Sequence, residues 1–438
     1  MRIRRHDLFP LSRLRPGLLY WGSVVCLFLV THGTQDRLAD IARSAPVVIP
    51  PDVTMALLSY APRVKGILFL LSLASLSAPI VRDGFRLVDA TRGSGLVSTL
   101  GVSFGTVLVL LLLVFQPGNL FLGEEYAIRS VAPFSQDVSW VHQRLLMPAT
   151  AHVLFFRGGW LYYAFGVLVV AVLLGLVYNW LRTHAPLPWW QFVSLCTCSF
   201  AIFQFQVPGY PDVLAFACFV VVMTDGFSQP SKLALLVLAL LTHEGAAVMG
   251  LLLAYRYLDR RLFALFLGTL MLYGLIWMGS AHFDLGSLLS SNNVAGLSGF
   301  EWVIQHPTNE ILGLFFGFKA TWLLVAVAAV MSIHEREWED ASFLICSVCI
   351  GIFMTFLGVD TSRLVGFAFP MVLVAIPIIR RHLAPRSARR LLSGVLLLNL
   401  LIPSFYLGLN TELWVQRGLY GFLYSLVISA GRLGGLGF

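Results

Sequence analysis

Apolar residues in this chain fall in runs of 11 to 23 positions with no alternation at a period of two, and polar residues gather between the runs. That pattern predicts helices rather than strands, and runs approaching ~20 apolar residues are long enough to cross a bilayer. Spans are expected near 17–32, 66–81, 95–116, 160–181, 189–207, 212–225, 233–243, 245–256, 262–281, 311–333, 342–358, 364–379, 391–409 and 416–431. The expected fold is therefore an all-α, polytopic integral membrane helix bundle of about 12–14 spans or half-spans. One membrane domain covers residues 1–438, because no soluble block separates the runs. The first run, Leu18 to Val30, reads as an uncleaved span behind a basic start, since no small-residue cleavage site follows it.

The stretch 232–256 is the exception to this spacing. His243, Glu244 and Gly245 interrupt its apolar residues midway, and each half is too short to cross alone. A single crossing would strand the Glu244 carboxylate in hydrocarbon, so a hairpin tipped by His243 and Glu244 is expected. The long interruptions are 33–65, 117–159 and 282–310. The first is amphipathic and proline-punctuated and should lie across the interface. The segment HQRLLMPATAHVLFF suits an interfacial helix with Arg144 turned toward water.

Composition agrees with this reading: 58% of residues are hydrophobic and 12% charged, with a mean hydropathy of +0.81. The net charge of +8 would suggest nucleic acid in a soluble protein. Here the basic residues are sorted instead. Arg2, Arg4, Arg5, Arg13 and Arg15, and the group Arg380, Arg381, Arg386, Arg389 and Arg390, fall on one side, which places the amino terminus in the cytoplasm and the long loops outside. Nucleic acid is excluded as a partner. The six cysteines lie inside apolar runs, as small hydrophobes rather than a metal set or disulfide framework.

Charge beside the bilayer supplies the candidate chemistry. Glu124 and Glu125, followed by Tyr126, stand just past a span, where a carboxylate could take a proton from an attacking hydroxyl; Asp137 follows in the same loop. Arg144 suits a phosphate or a snorkelling contact with headgroups. Asp212, after Gly209 and Pro211, reads as a helix cap or a site residue. His243 and Glu244 are ionisable groups at membrane depth. Asp360 and Arg363 form either a local pair or a phosphate clamp. Lys319 lies within a span and calls for a carboxylate partner or a lipid phosphate.

In order along the chain, these pieces are Glu124, Glu125 and Tyr126; Arg144, Leu146 and Pro148; Gly209, Pro211 and Asp212; the His243–Glu244 hairpin; and Asp360, Arg363 and Pro370. That order resembles the GT-C superfamily of polytopic glycosyltransferases that use polyprenyl-phosphate sugars, especially its bacterial branches. The resemblance covers 95–380, with two extra spans in 1–94 and further spans in 381–438. It implies a multi-pass protein of a bacterial inner membrane that moves a sugar, with inversion, from a polyprenyl-phosphate donor to a lipid-linked or polysaccharide acceptor on the extracytoplasmic face. Glu125, with Glu124 beside it, would be the general base, and Tyr126, Arg144, Asp212, His243, Glu244, Lys319, Asp360 and Arg363 would line the substrate site. In some branches the acidic residue binds a metal, so a divalent cation is the one cofactor the resemblance admits. This chain departs from the pattern in offering glutamate where aspartate is usual, and after its third span instead of its first. Asp36, Asp40 and Asp52, in the first outer loop, therefore compete for that role. The same intramembrane charges also fit a transporter or flippase for a lipid-linked or anionic solute.

Overall fold

The computed structural model describes residues 20–28, 51–90, 94–114, 121–134, 144–206, 209–280, 299–356 and 360–405, with Leu419 and Gly421. Every regular element among them is helical. After a helical stretch at 20–28 come α1 (Pro51–Ala90), α2 (Ser94–Val114), α3 (Phe121–Val131), α4 (Leu146–Val153), α5 (Gly159–His184), α6 (Trp189–Cys196) and α7 (Ser199–Gln206). Then follow α8 (Asp212–Val222), α9 (Gln229–Leu240), α10 (Ala246–Tyr257), α11 (Arg260–Ser280), α12 (Gly299–Gln305), α13 (Pro307–Phe318), α14 (Thr321–His334) and α15 (Trp338–Thr355). A short α16 (Thr361–Leu364) runs through a 3-10 turn, Val365–Ala368, into α17 (Pro370–His382), and α18 (Pro385–Leu401) closes the described bundle.

Four helices are long and apolar enough to cross a membrane: Pro62–Phe85, Val97–Val114, Gly159–His184 and Trp338–Thr355. Two bent pairs, α13 with α14 and α16 with α17, qualify if each is one span. Their outward faces carry exposed Val97, Leu108, Leu112, Leu161 and Val172, surface that water would penalise and lipid does not. The chain is thus an all-helical, multi-pass membrane protein.

Several expected spans take a different course. Of the stretch 33–65, expected to lie across the interface, residues 33–50 lie outside the described residues and 51–65 are helical, continuous with the rest of α1. The span near 189–207 is two short helices, because Thr197 and Cys198 donate their backbone N–H groups three residues back and the Thr197 hydroxyl bonds the Ser194 carbonyl. The span near 311–333 breaks at Lys319, whose φ is 49°, and bends by 79°. The span near 364–379 bends by 48° where Pro370 starts α17.

The stretch 232–256 is a hairpin of two antiparallel helices. Gln229 at the start of α9 donates to the Tyr257 carbonyl at the end of α10, 3.1 Å away, so the open ends meet and the tip carries His243 and Glu244. At the same open end Asp83 of α1 finishes the α9 terminus. Its Oδ2 accepts from Ser228 N at 2.9 Å and from Ser231 Oγ at 2.6 Å, in place of a capping bond from within the helix. Ion pairs join α10, α15 and α17 nearby, Arg256 to Asp340 and Arg381 to both Glu337 and Asp340.

Gly313 and Gly317 let α13 lie directly on α16 and the 3-10 turn. A Cβ on Gly317 would overlap Val365 Cγ1, and one on Gly313 would overlap Thr361 Cγ2. This contact seats the segment that bears Asp360 and Arg363. Gly317→Val is expected to lower stability by ~1–3 kcal/mol, read from the unfolding midpoint of the purified protein. An unchanged midpoint would show that the helices part without cost.

Candidate functional site

At the tip end of the hairpin, side chains from separate segments close into a ring. Tyr126 of α3 and Arg144, just before α4, are both buried. Arg144 Nη1 donates to the Tyr126 hydroxyl at 2.8 Å, its Nε donates to Glu244 Oε2 at 3.0 Å, and its Nη2 donates to Glu244 Oε1. The pairing is bidentate, the geometry in which a guanidinium matches a carboxylate best. The backbone helps to set it, because Leu146 N bonds the Leu241 carbonyl and draws the start of α4 onto the hairpin tip. Burial pushes the Tyr126 hydroxyl up to about 12, so it stays neutral as it accepts from Arg144.

From Glu244 the ring passes to His243, whose Nδ1 lies 3.7 Å from Glu244 Oε2 and accepts the Gly245 N–H at 2.9 Å. With Nδ1 an acceptor, the neutral imidazole carries its proton on Nε2. That nitrogen faces Asp212 Oδ1 at 3.9 Å. Asp212 Oδ2 faces Arg363 Nη1 at 3.4 Å, and Arg363 Nη2 reaches Asp360 Oδ2 at 3.1 Å. The Arg363 guanidinium stacks over Tyr210 at 4.5 Å, and Tyr210 meets Tyr126 edge-on at 5.3 Å, which returns the ring to its start.

Local sequence explains the placement of Asp212. Gly209 has φ of 95°, which favours glycine, and its carbonyl accepts from the Tyr162 hydroxyl at 2.9 Å. The turn then delivers Tyr210, Pro211 and Asp212 to the start of α8. Asp212 makes no side-chain capping bond. It is fully buried, and neither of its oxygens has a hydrogen-bond partner among the described residues. The same holds for His243 Nε2 and for Nε and Nη1 of Arg363. Buried groups of this kind are nearly always satisfied, so acceptors and donors facing one another unfulfilled suit a guest that offers both, such as a hydroxyl or a phosphoryl oxygen.

Of the residues singled out from sequence, the structure brings together Tyr126, Arg144, Asp212, His243, Glu244, Asp360 and Arg363. Arg144, expected to turn toward water, turns inward, because Glu244 neutralises it there. Lys319 lies apart, with Nζ donating to Thr197 Oγ1 at 2.7 Å, Ser404 Oγ at 2.9 Å and the Ile402 carbonyl at 3.1 Å. It pins the bend between α13 and α14 to the ends of α6 and α18. Glu124 is exposed and Glu125 half-buried on α3, beside Tyr126 but not among the contacts of the ring given above. Asp36, Asp40 and Asp137 lie outside the described residues, as does the side chain of Asp52.

Two members were missed from sequence. Tyr210 could be read only as part of a turn, although an aromatic ring beside an arginine is a plausible stacking platform. Glu310, in the first turn of α13, accepts from Thr361 Oγ1 at 3.0 Å and braces the Asp360–Arg363 turn; the available signal was an acid at the very edge of an apolar run. Among the described residues no three His, Cys, Asp or Glu are grouped to hold a metal ion. No family model, curated protein or solved structure matches this chain.

Proposed function

We propose that the protein is a membrane glycosyltransferase that moves a sugar from a polyprenyl-phosphate donor to a lipid-linked or glycan acceptor at the ring built on Arg144, Glu244, His243, Asp212 and Arg363. The observation that carries this reading is the set of unfulfilled atoms on Asp212, His243 and Arg363, two kinds of donor facing one acceptor in a buried site. Such a site matches the two groups that the transfer brings together, an acceptor hydroxyl and a donor phosphate.

In this reading Asp212 takes the proton from the acceptor hydroxyl as its oxygen attacks the anomeric carbon from the face opposite the leaving group. The bond from that carbon to the phosphate oxygen breaks, and the lipid phosphate departs with the electron pair and needs no proton. Arg363 faces the developing negative charge, and His243, with its proton on Nε2, orients the carboxylate. Asp212 suits the base better than Glu124 or Glu125, because it alone of the three lies in the ring and neither of its oxygens holds a hydrogen bond. Arg381, joined through Asp340 to Arg256 beside the open end of the hairpin, lies at the other end of that hairpin from the ring, which supports an extracytoplasmic site.

The two bent spans favour a second reading, a transporter or flippase for a lipid-linked or anionic solute, since broken helices carrying charges beside a binding site are common there. One assay separates them. Purified protein in liposomes, given a radiolabelled polyprenyl-phosphate sugar and an acceptor extract, should release polyprenyl phosphate and yield a labelled glycan. Movement of the donor between leaflets with no covalent product would reject the transferase and support the flippase.

A further inference from the structure

A second buried cation lies away from the ring and is handled differently. Arg144 and Arg363 each meet carboxylates, and Lys319 meets three oxygens. Arg129, on α3, is only 6% exposed, yet it has no hydrogen bond or ion pair among the described residues, and its Nε is sealed from solvent. Burial alone loosens its proton, to about 10, with no carboxylate acting against that shift. An unpaired guanidinium at such depth is costly in free energy unless an anion joins it.

The neighbourhood adds charge of the same sign. Lys65 of α1 stands within electrostatic reach of Arg129. The two helices touch there, because the Phe134 ring that follows α3 packs over Gly66 and lies 5.5 Å from the ring of Phe69. Like charges held side by side repel, and an anion between them would reverse that cost. Within two positions of them in sequence, Val64 and Ile67 on α1 and Ile128 and Val131 on α3 are apolar and more than half exposed. α1 and α3 thus present exposed apolar side chains within two positions of each cation, surface that lipid chains cover and water penalises.

We propose that Arg129 and Lys65 form a binding site for the phosphate headgroup of an anionic lipid, its chains lying against the exposed apolar residues of α1 and α3. This site is separate from the ring and does not depend on the transferase reading. The phosphate would supply acceptors for the guanidinium, including its sealed Nε, and the ammonium would share the charge.

The test is a titration of the purified full-length protein in a neutral detergent, read by native mass spectrometry. The probes are dioctanoyl phosphatidic acid, dioctanoyl phosphatidylcholine and inorganic phosphate. Saturable binding of phosphatidic acid is expected, weakened roughly tenfold or more by Arg129→Gln and severalfold by Lys65→Gln. Arg129→Gln without lipid should be at least as stable as the wild type, because it removes an uncompensated buried charge, whereas loss of a purely structural contact would lower the unfolding midpoint. Equal affinity of wild type and both variants for phosphatidic acid overturns the proposal. Equal affinity for phosphatidylcholine, or binding of inorganic phosphate as tight as that of phosphatidic acid, overturns the anionic-lipid assignment. Asp212→Asn should leave this titration unchanged, so failure here and failure of the transferase reading are distinguishable.

Discussion

Asp212→Asn is expected to lower sugar transfer by ~10²–10⁴-fold, the range that a positioned general base contributes. The substitution keeps the shape of the side chain and removes its charge and basicity. Because the Asp212 oxygens hold no hydrogen bond in the ring and Arg363 keeps its pairing with Asp360, the fold should not suffer. The check pairs initial rates of polyprenyl-phosphate release with the unfolding midpoint of the same preparation. A large loss of rate at an unchanged midpoint assigns Asp212 to chemistry. Normal rates would remove it from that role and return attention to Glu125. A collapsed midpoint would mark the residue as a structural counter-ion of Arg363.

Arg144→Met carries the largest expected effect on stability. It leaves Glu244 as a carboxylate at the hairpin tip without its bidentate partner, and breaking a buried pair from one side costs ~3–5 kcal/mol. The double variant Arg144→Met with Glu244→Leu should recover most of that loss, since two apolar side chains replace two desolvated charges. Unfolding midpoints of the wild type, both single variants and the double variant complete the cycle, whose coupling term isolates the pair. If the four midpoints fit simple additivity, the pair is not the buried interaction that its geometry describes.

Much of the helical layout was legible in the sequence, since apolar runs near bilayer length have few other uses. The hairpin at 232–256 was legible for an electrostatic reason, the expense of Glu244 in hydrocarbon. What the runs concealed was where helices break. Thr197, Lys319 and Pro370 each interrupt a stretch whose hydropathy reads as one span, and a hydropathy window averages over a single residue. The members of the ring could be nominated one by one, because an ionisable residue in so apolar a chain stands out. Their partners could not. Arg144 and Glu244 are 100 positions apart, and only tertiary packing tells whether Arg144 faces water, lipid or an acid. Glu125 drew attention as one of two adjacent carboxylates just past a span, but neighbours on a helix point about 100° apart, so the inward course of Tyr126 says little about the residue before it. Lys319, sought as a phosphate contact, fastens a bend instead.

The central claim is that the ring receives the donor phosphate. Electron cryo-microscopy of the protein in nanodiscs with a non-hydrolysable phosphonate analogue of a polyprenyl-phosphate sugar tests it most directly. The account predicts phosphonate density within hydrogen-bonding reach of Arg363 Nη1, with the sugar against Asp212 and His243. Density for the analogue elsewhere, at the bilayer centre or only beside Arg129, with the ring still closed upon itself, would contradict it.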